Sequence, residues 1–316
     1  MKIVVIGKQG QLGRYLQQTL GDTAVYLSRD ALDMADTGLV FERLMAFSPD
    51  IIVNASAYTD TSRAEKEPGL AYAVNAASVA EIARVAAHRN ATLIHVSTDY
   101  VFDGEKVGGY QENDTPNPLN VYGASKRLGE LLIQKITEKH IIIRTSWVFS
   151  EFGQNFVKTI VNLAKKRDEL EIVSDQFGCP TYAGHLAVMI AQLVHTLKNH
   201  QDDPELASKF GLYHYADSPA CSWFDFGNAI VALSREAMPD ITAARILPVA
   251  ASHWPSNLVR PKNGELCCQH IAAVWGVKRH DWQSGLVSVV NQLASTELTS
   301  TELTSTESAD AEIKNA

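Results

Sequence analysis

The chain opens on an apolar, β-branched run, Lys2-Ile3-Val4-Val5-Ile6, which leads at once into Gly7-Lys8-Gln9-Gly10-Gln11-Leu12-Gly13 and then into a helical pattern. Few structures suit a buried strand that turns into a helix through closely spaced glycines. Glycine permits the tight turn and lets backbone N–H groups approach a pyrophosphate, which then sits at the positive end of the helix. The alternative is an ordinary Gly-rich strand-to-helix turn. The N-terminal position, the preceding strand and the following helix together favour a dinucleotide site in which Gly7, Gly10 and Gly13 take part.

The rest of the first half keeps the same rhythm. Apolar runs rich in β-branched residues lie at Lys2 to Ile6, Ala24 to Leu27, Ile51 to Asn54, Thr92 to Val96 and His140 to Arg144, and helical patterns such as Glu65 to Ala87 fill the gaps. Parallel strands covered by helices on both faces read this way. The expected fold is α/β: a Rossmann-type doubly wound parallel sheet over residues 1–150, with part of the later chain returning to it. A smaller C-terminal α/β substrate-binding region follows over 151–294, with helices near Asn155 to Lys166, Ala183 to Leu197, Trp223 to Leu233 and Ser284 to Leu293. From Ser295 the chain repeats Ser-Thr-Glu-Leu-Thr. That composition has too few apolar side chains to offset the entropy of ordering, so 295–316 reads as a disordered tail.

Charge and cysteine usage narrow the function. A formal net charge of -8 opposes nucleic-acid binding, which needs a basic surface to displace counterions. It leaves room for an anionic small molecule held by a helix N-terminus and a few placed cations. The first apolar run is too short for a signal peptide, and no run of about 18 apolar residues is evident, so neither export nor membrane insertion is expected. Cys179, Cys221, Cys267 and Cys268 include no CxxC pair, which suits reduced thiols and a cytoplasmic protein. The ten histidines show no HxxxH or HExxH spacing, and no metal is expected.

Chemistry concentrates in two segments. Val96-Ser97-Thr98-Asp99-Tyr100-Val101-Phe102 falls at the carboxyl end of the fourth strand, the edge where open α/β sheets bind ligands. Asn117-Pro118-Leu119-Asn120-Val121-Tyr122-Gly123-Ala124-Ser125-Lys126 passes from an extended piece into a helix that places Tyr122 and Lys126 on one face. Reducing a ketone needs a hydride on the carbonyl carbon and a proton for its oxygen. An unperturbed tyrosine, with a pKa near 10, is a poor relay at neutral pH. A nearby ammonium is expected to bring it toward the working range, with Thr98 holding the carbonyl oxygen. Tyr-x-x-x-Lys alone is a weak signal, often just a surface helix pair; joined in order to the glycine turn and the Thr98 segment it is a strong one. At the end of the second strand, Leu27-Ser28-Arg29 carries no acidic residue for a ribose 2'-hydroxyl, and Arg29 suits a 2'-phosphate, although Asp30 beside it can neutralise it.

The GxxGxxG spacing with this triad resembles the short-chain dehydrogenase/reductase superfamily, and within it the dTDP-4-dehydrorhamnose reductases. The similarity is carried by Gly7 to Gly13, Ile52 to Ala57, Ala64-Glu65-Lys66-Glu67-Pro68, Ser97 to Phe102, the Tyr122/Lys126 helix, Arg144 to Phe149 and Asp175 to Thr181, in family order, with weaker likeness to about Leu293. The resemblance implies that Gly7, Gly10, Gln11, Leu12, Asp33, Ser56, Ala57 and Thr59 line an NADPH site that also accepts NADH. It makes Thr98, Tyr122 and Lys126 the catalytic triad, with Tyr122 and Lys126 also touching the cofactor. Asp99 and Trp147 would lie against the sugar and Arg260 near the substrate diphosphate; the blander roles are a turn cap for Asp99 and core filling for Trp147. It further implies a nucleotide-sugar substrate and a monomer or homodimer.

Two departures stand out. Where some relatives carry magnesium-binding glutamates at a dimer interface, this chain has Tyr15 and His185, neither a good ligand for a hard cation. Gly264 stands where serine is frequent. Dehydratases of the superfamily carry an acidic pair after the threonine, whereas here Asp99 is followed by Tyr100. Epimerisation or reduction of another keto sugar, or a non-catalytic role like that of the methionine adenosyltransferase regulatory subunit, are the competing readings.

Overall fold

The computed structural model describes residues 1–200, 203–241, 245–253 and 258–296. Five strands, β1 (Ile3–Ile6), β2 (Ala24–Leu27), β3 (Ile51–Asn54), β4 (Thr92–Thr98) and β5 (His140–Thr145), form one parallel sheet with a sixth strand at Gly211–His214. The order across the sheet is Gly211–His214, β5, β4, β3, β1, β2. β1 and β3 are buried along their whole length, since helices cover both faces, and this explains their unbroken apolar runs.

One face is packed by the helices Gln11–Leu20 and Ala183–Asn199, with Val5, Leu16, Ile94, Leu186 and Ile190 in a shared core. The other is covered by Thr37–Met45, Ser78–Arg89 and Val121–Ile136 over Val4, Ile52, Leu93 and Ile142. Each buried Val, Ile or Leu contributes about 1.5–3 kcal/mol relative to exposure. The Ala183–Asn199 helix and the Gly211–His214 strand thus belong to the sheet, although they follow residue 150 in sequence. A second core beyond the strands' carboxyl ends gathers Val157, Ile160, Ile172, Phe226, Ile230 and Leu286. It is built on the helices Phe156–Ala164, Trp223–Ala237 and 282–296 and on the parallel pair Glu169–Val173 and Arg245–Val249.

Two details differ from expectation. β4 runs two residues further than the apolar run, because Ser97 and Thr98 stay in register with Arg144 and Thr145 of β5. The single helix expected from Glu65 to Ala87 is broken: Pro68 cannot donate an N–H and forces Glu67 out of helical conformation (φ -127°, ψ 55°), so helix resumes at Pro68–Tyr72. A π-turn at Ala73–Ala77 then leads into Ser78–Arg89. The helical stretch Pro68–Arg89 is long and apolar enough to cross a membrane by length and composition alone, although Asn75, Ser78, Glu81 and Arg84 interrupt its apolar residues. Its Ile82, Ala83, Val85 and Ala86 are fully buried, the pattern of a core helix in an α/β unit. The expected tail falls almost wholly on 297–316, outside the described residues.

Candidate active site

β1 turns at Gly7, whose φ of +98° favours glycine and whose missing Cβ would stand 2.9 Å from the Ala55 backbone. A Cβ on Gly13 would lie 2.0 Å from the Gly7 carbonyl oxygen, so the first helix can seat on the strand only with glycine there. That helix begins at Gly10 with no side-chain cap and no acidic residue in its first turn, leaving its N-terminal N–H groups free for an anion. Beside it opens a cavity of about 850 Å³, at the upper end of the range for ligand sites.

The cavity brings together most of the residues expected to act. Gly7, Gly10, Gln11, Leu12, Arg29 and Asp33 line one end. Ser56, Ala57 and Thr59 form the wall beyond β3, and Thr98, Asp99, Tyr122, Lys126 and Trp147 surround the other end. Two expected residues do not line it. Gly13 serves by letting helix and strand touch. Arg260 sits beside the Tyr100 hydroxyl and reaches the cavity only through that side chain. Arg29 meets Asp33, at 3.5 Å, and not its neighbour Asp30.

Tyr122 and Lys126 lie in the Val121–Ile136 helix, capped by Asn120, whose side-chain oxygen accepts from the Gly123 N–H at 2.8 Å. Asn120 Nδ2 also donates to the Val259 carbonyl, tying the Arg260 segment to the start of this helix. Thr98 ends β4, accepts from the Tyr100 N–H and donates to Asp99 Oδ1 at 3.1 Å. Burial pushes the Tyr122 phenol above its ordinary range, and a hydrogen bond with Thr98 offsets this only in part. The expectation that Lys126 draws this pKa downward is therefore not met in the protein by itself. The lysine is otherwise engaged: Nζ donates to the Val96 carbonyl at 2.7 Å and lies 3.3 Å from His95 Nε2. Burial lowers Lys126 to about 8, against the opposing pull of Glu130. Asp99 is raised to about 7 by burial, against hydrogen bonds from Thr98 and backbone N–H groups. It is thus a buried group at the cavity wall, which exceeds a turn cap.

Several contributors were not legible in the motifs. Trp147 stacks on Trp223 with ring centroids 3.3 Å apart and planes 7° from parallel, and both line the cavity. Gln11 Oε1 accepts from Ser150 Oγ and Asn155 Nδ2, so the glycine turn is joined to the second core. Asn54, His95 and Ser56 form a buried chain of hydrogen bonds that ends at Lys126. Polar residues inside otherwise apolar strands, His95 in Leu93-Ile94-His95-Val96 and Asn54 closing Ile51 to Asn54, were the available signal.

At the two positions read as departures from a metal-binding pattern, Tyr15 donates to Glu151 Oε2 at 2.7 Å and His185 Nδ1 lies 2.7 Å from Asp217 Oδ2. Among the described residues no cluster of three or more His, Cys, Asp or Glu side chains is disposed to hold a metal.

Comparison with known proteins agrees with the fold. Residues 1–295 match the RmlD substrate binding domain family. The chain is 39% identical over 294 residues to a dTDP-4-dehydrorhamnose reductase of Aggregatibacter actinomycetemcomitans, covering 91% of this chain and 98% of the relative. It is 37% identical over 302 residues to the Escherichia coli (strain K12) protein of the same name, covering 94% and 99%. The crystal structure of dTDP-4-dehydrorhamnose reductase from Bacillus anthracis in complex with NADP superimposes with a TM-score of 0.82 at 34% identity, covering 91% of this chain and 98% of that one. With a match that spans both cores and the whole cavity between them, the chain belongs to the RmlD substrate binding domain family.

Proposed function

We propose that the protein is an NADPH-dependent reductase of the 4-keto group of a nucleotide-linked deoxysugar, converting dTDP-4-dehydro-L-rhamnose to dTDP-L-rhamnose. The observation that carries this reading is the placement of Thr98, Tyr122 and Lys126 at one end of a cavity whose other end is the uncapped glycine turn. Relatives 39% and 37% identical over more than nine-tenths of the chain bear the name dTDP-4-dehydrorhamnose reductase, and a structural neighbour holds NADP.

The residues present fit a nicotinamide dinucleotide. The glycine turn leaves room for a pyrophosphate, and Thr145 Oγ1, buried at the cavity wall with no hydrogen-bond partner, is free to bond a ligand. When bound, the nicotinamide supplies the hydride. The protein supplies the proton. Its raised pKa keeps Tyr122 a protonated phenol through neutral pH, so that the hydroxyl can pass its proton to the carbonyl oxygen as the C=O double bond opens. Thr98 positions that oxygen. Lys126, one helical turn from Tyr122, is placed to stabilise the phenolate left behind. The stacked Trp147 and Trp223 offer a flat apolar wall for the sugar ring, and Asp99 a polar contact. Arg260 acts at one remove, through Tyr100. The reading places the protein in the cytoplasm, as a monomer or homodimer.

The test is loss of NADPH absorbance on adding dTDP-4-dehydrorhamnose, with dTDP-rhamnose identified as product. Turnover with another nucleotide-linked keto sugar alone would reassign the substrate, and no oxidation with any of them would point to a binding protein.

A further inference from the structure

With Lys126 as an ammonium, the buried chain behind it holds one hydrogen-bond donor too many. The Ser56 N–H and Ser56 Oγ both approach Asn54 Oδ1, at 3.1 and 2.7 Å. A backbone N–H can only donate, so the oxygen of the Asn54 amide must face Ser56 and its NH2 must face His95. Asn54 Nδ2 lies 3.1 Å from His95 Nδ1, which therefore accepts. Burial, with Lys126 beside it, holds the His95 imidazole well below its ordinary pKa, so the ring is neutral and its single proton is on Nε2. That Nε2–H points at Lys126 Nζ, 3.3 Å away. An amine can accept it, while an ammonium meets a second donor head-on. Reversing the tautomer only moves the conflict to the Asn54 NH2. Asn54 and His95 are fully buried and Lys126 nearly so, leaving little water to relieve it.

We propose that His95 is a positioning residue for the reductase, one that, oriented by Asn54, presents Nε2–H to Lys126 and thereby favours the neutral amine over the ammonium. The inference rests on the reductase reading above. The other groups facing Lys126 are Glu130 and Tyr122 on its own helix and the Val96 carbonyl from β4; Glu130 favours the ammonium but is committed to Arg144 of β5, Arg127 and Ser97. Lys126 is thus poised to change its charge near neutral pH: protonated from solvent through the cavity it lines, its ammonium steadies the phenolate left by Tyr122, and it returns that proton to solvent once Tyr122 is reprotonated.

Two measurements test this. In protein labelled with 15N-histidine, long-range 15N–1H correlation should show His95, identified by its loss in His95→Gln, as the Nε2–H tautomer; Nδ1–H or an imidazolium at neutral pH would overturn the proposal. Second, kcat/KM for NADPH oxidation should fall with rising pH as Lys126 loses its proton. Glutamine at 95 can turn its oxygen to the ammonium, and aspartate at 54 demands Nδ1–H of His95 and so reverses the tautomer. In both His95→Gln and Asn54→Asp the falling limb should therefore move up by about one unit, leaving about tenfold more of the plateau rate at roughly pH 10 than in the parent. A falling limb unmoved in both variants of an active parent would refute the role of His95. An inactive parent would count against the reductase reading instead, and the 15N spectrum would still decide the tautomer.

Discussion

Glu130 and Arg144 form a two-point ion pair in the interior, Nε to Oε1 at 2.8 Å and Nη2 to Oε2 at 2.7 Å, with neither side chain more than 1% exposed. The pair ties the helix bearing Tyr122 and Lys126 to β5. Ser97 Oγ donates to Glu130 Oε1 at 2.6 Å and Arg127 Nη1 to Oε2 at 2.9 Å, so the carboxylate is satisfied from β4 and from its own helix as well. Replacing one partner leaves a buried charge uncompensated. Glu130→Ala is expected to destabilise by about 3–5 kcal/mol, against less for Glu130→Gln, which keeps one acceptor. Thermal unfolding of the two variants checks the order.

The same pair sets an acid limit. Burial acts to raise the Glu130 pKa, but Arg144, Ser97 and Arg127 overcome it and hold the carboxyl below its ordinary value. A group whose folded pKa is depressed contributes stability that is complete above the unfolded pKa and is lost as pH falls through the folded one. The parent should therefore lose stability below about pH 4.5, the ordinary value, and Glu130→Gln should show a flatter acid slope. Equal slopes in denaturant titrations at several acid pH values would show that other carboxylates dominate.

Tyr122 carries the proton. Tyr122→Phe keeps the ring, which packs edge-to-face on Tyr100 at 5.6 Å, and removes only the hydroxyl. Turnover should drop by about 10²- to 10⁴-fold with NADPH affinity nearly unchanged. A loss below tenfold would place the acid elsewhere.

The glycine at 264 has a structural cause. A Cβ at 264 would stand 2.4 Å from Asp99 Oδ2, so Asp99 can occupy its present place only beside glycine. Gly264→Ser should drive the Asp99 carboxyl toward the cavity, at a cost of about 1–3 kcal/mol for overpacking. KM for the sugar nucleotide should rise while affinity for NADPH, bound at the other end, stays constant. If both move together, the substitution has disturbed the fold more widely.

What was legible in the sequence follows from what is local. β1, β3 and the glycine turn are encoded in contiguous residues, and Tyr122 and Lys126 in a single helical turn, so periodicity and spacing are enough to read them. Contacts formed by residues distant in the chain were not legible. Nothing local indicates that Trp147 will meet Trp223, that Gly264 will abut Asp99, or that Glu130 will close on Arg144. The π-turn at Ala73–Ala77 is likewise set by tertiary packing: Asn75 within it hydrogen-bonds the Tyr58 backbone and Ser125 Oγ, holding the turn against the catalytic helix. The four-residue spacing from Tyr122 marks Lys126, whereas its engagement with Val96 and His95 depends on β4 lying beside the helix.

Cofactor discrimination depends on Arg29 and Asp33. No acidic residue ends β2, and the Arg29 guanidinium stands at the cavity mouth, so a 2'-phosphate gains a cation that the 2'-hydroxyl of NADH cannot use. Two features limit the gain: Arg29 is 72% exposed, and it already faces Asp33 at 3.5 Å. An exposed ion pair is worth about 0–1 kcal/mol, so drawing the guanidinium away costs little, but solvent and salt also weaken its hold on the phosphate. The preference for NADPH over NADH in kcat/KM should therefore be about three- to tenfold at moderate salt, below what a buried arginine would give. Arg29→Ala should abolish that ratio, and Asp33→Asn, which removes the competing carboxylate and its repulsion of the phosphate, should widen it. Raising the ionic strength should narrow the ratio in the parent and leave Arg29→Ala unaffected. If the parent ratio survives Arg29→Ala, the preference arises elsewhere on the cavity wall and Arg29 is a solvated surface residue.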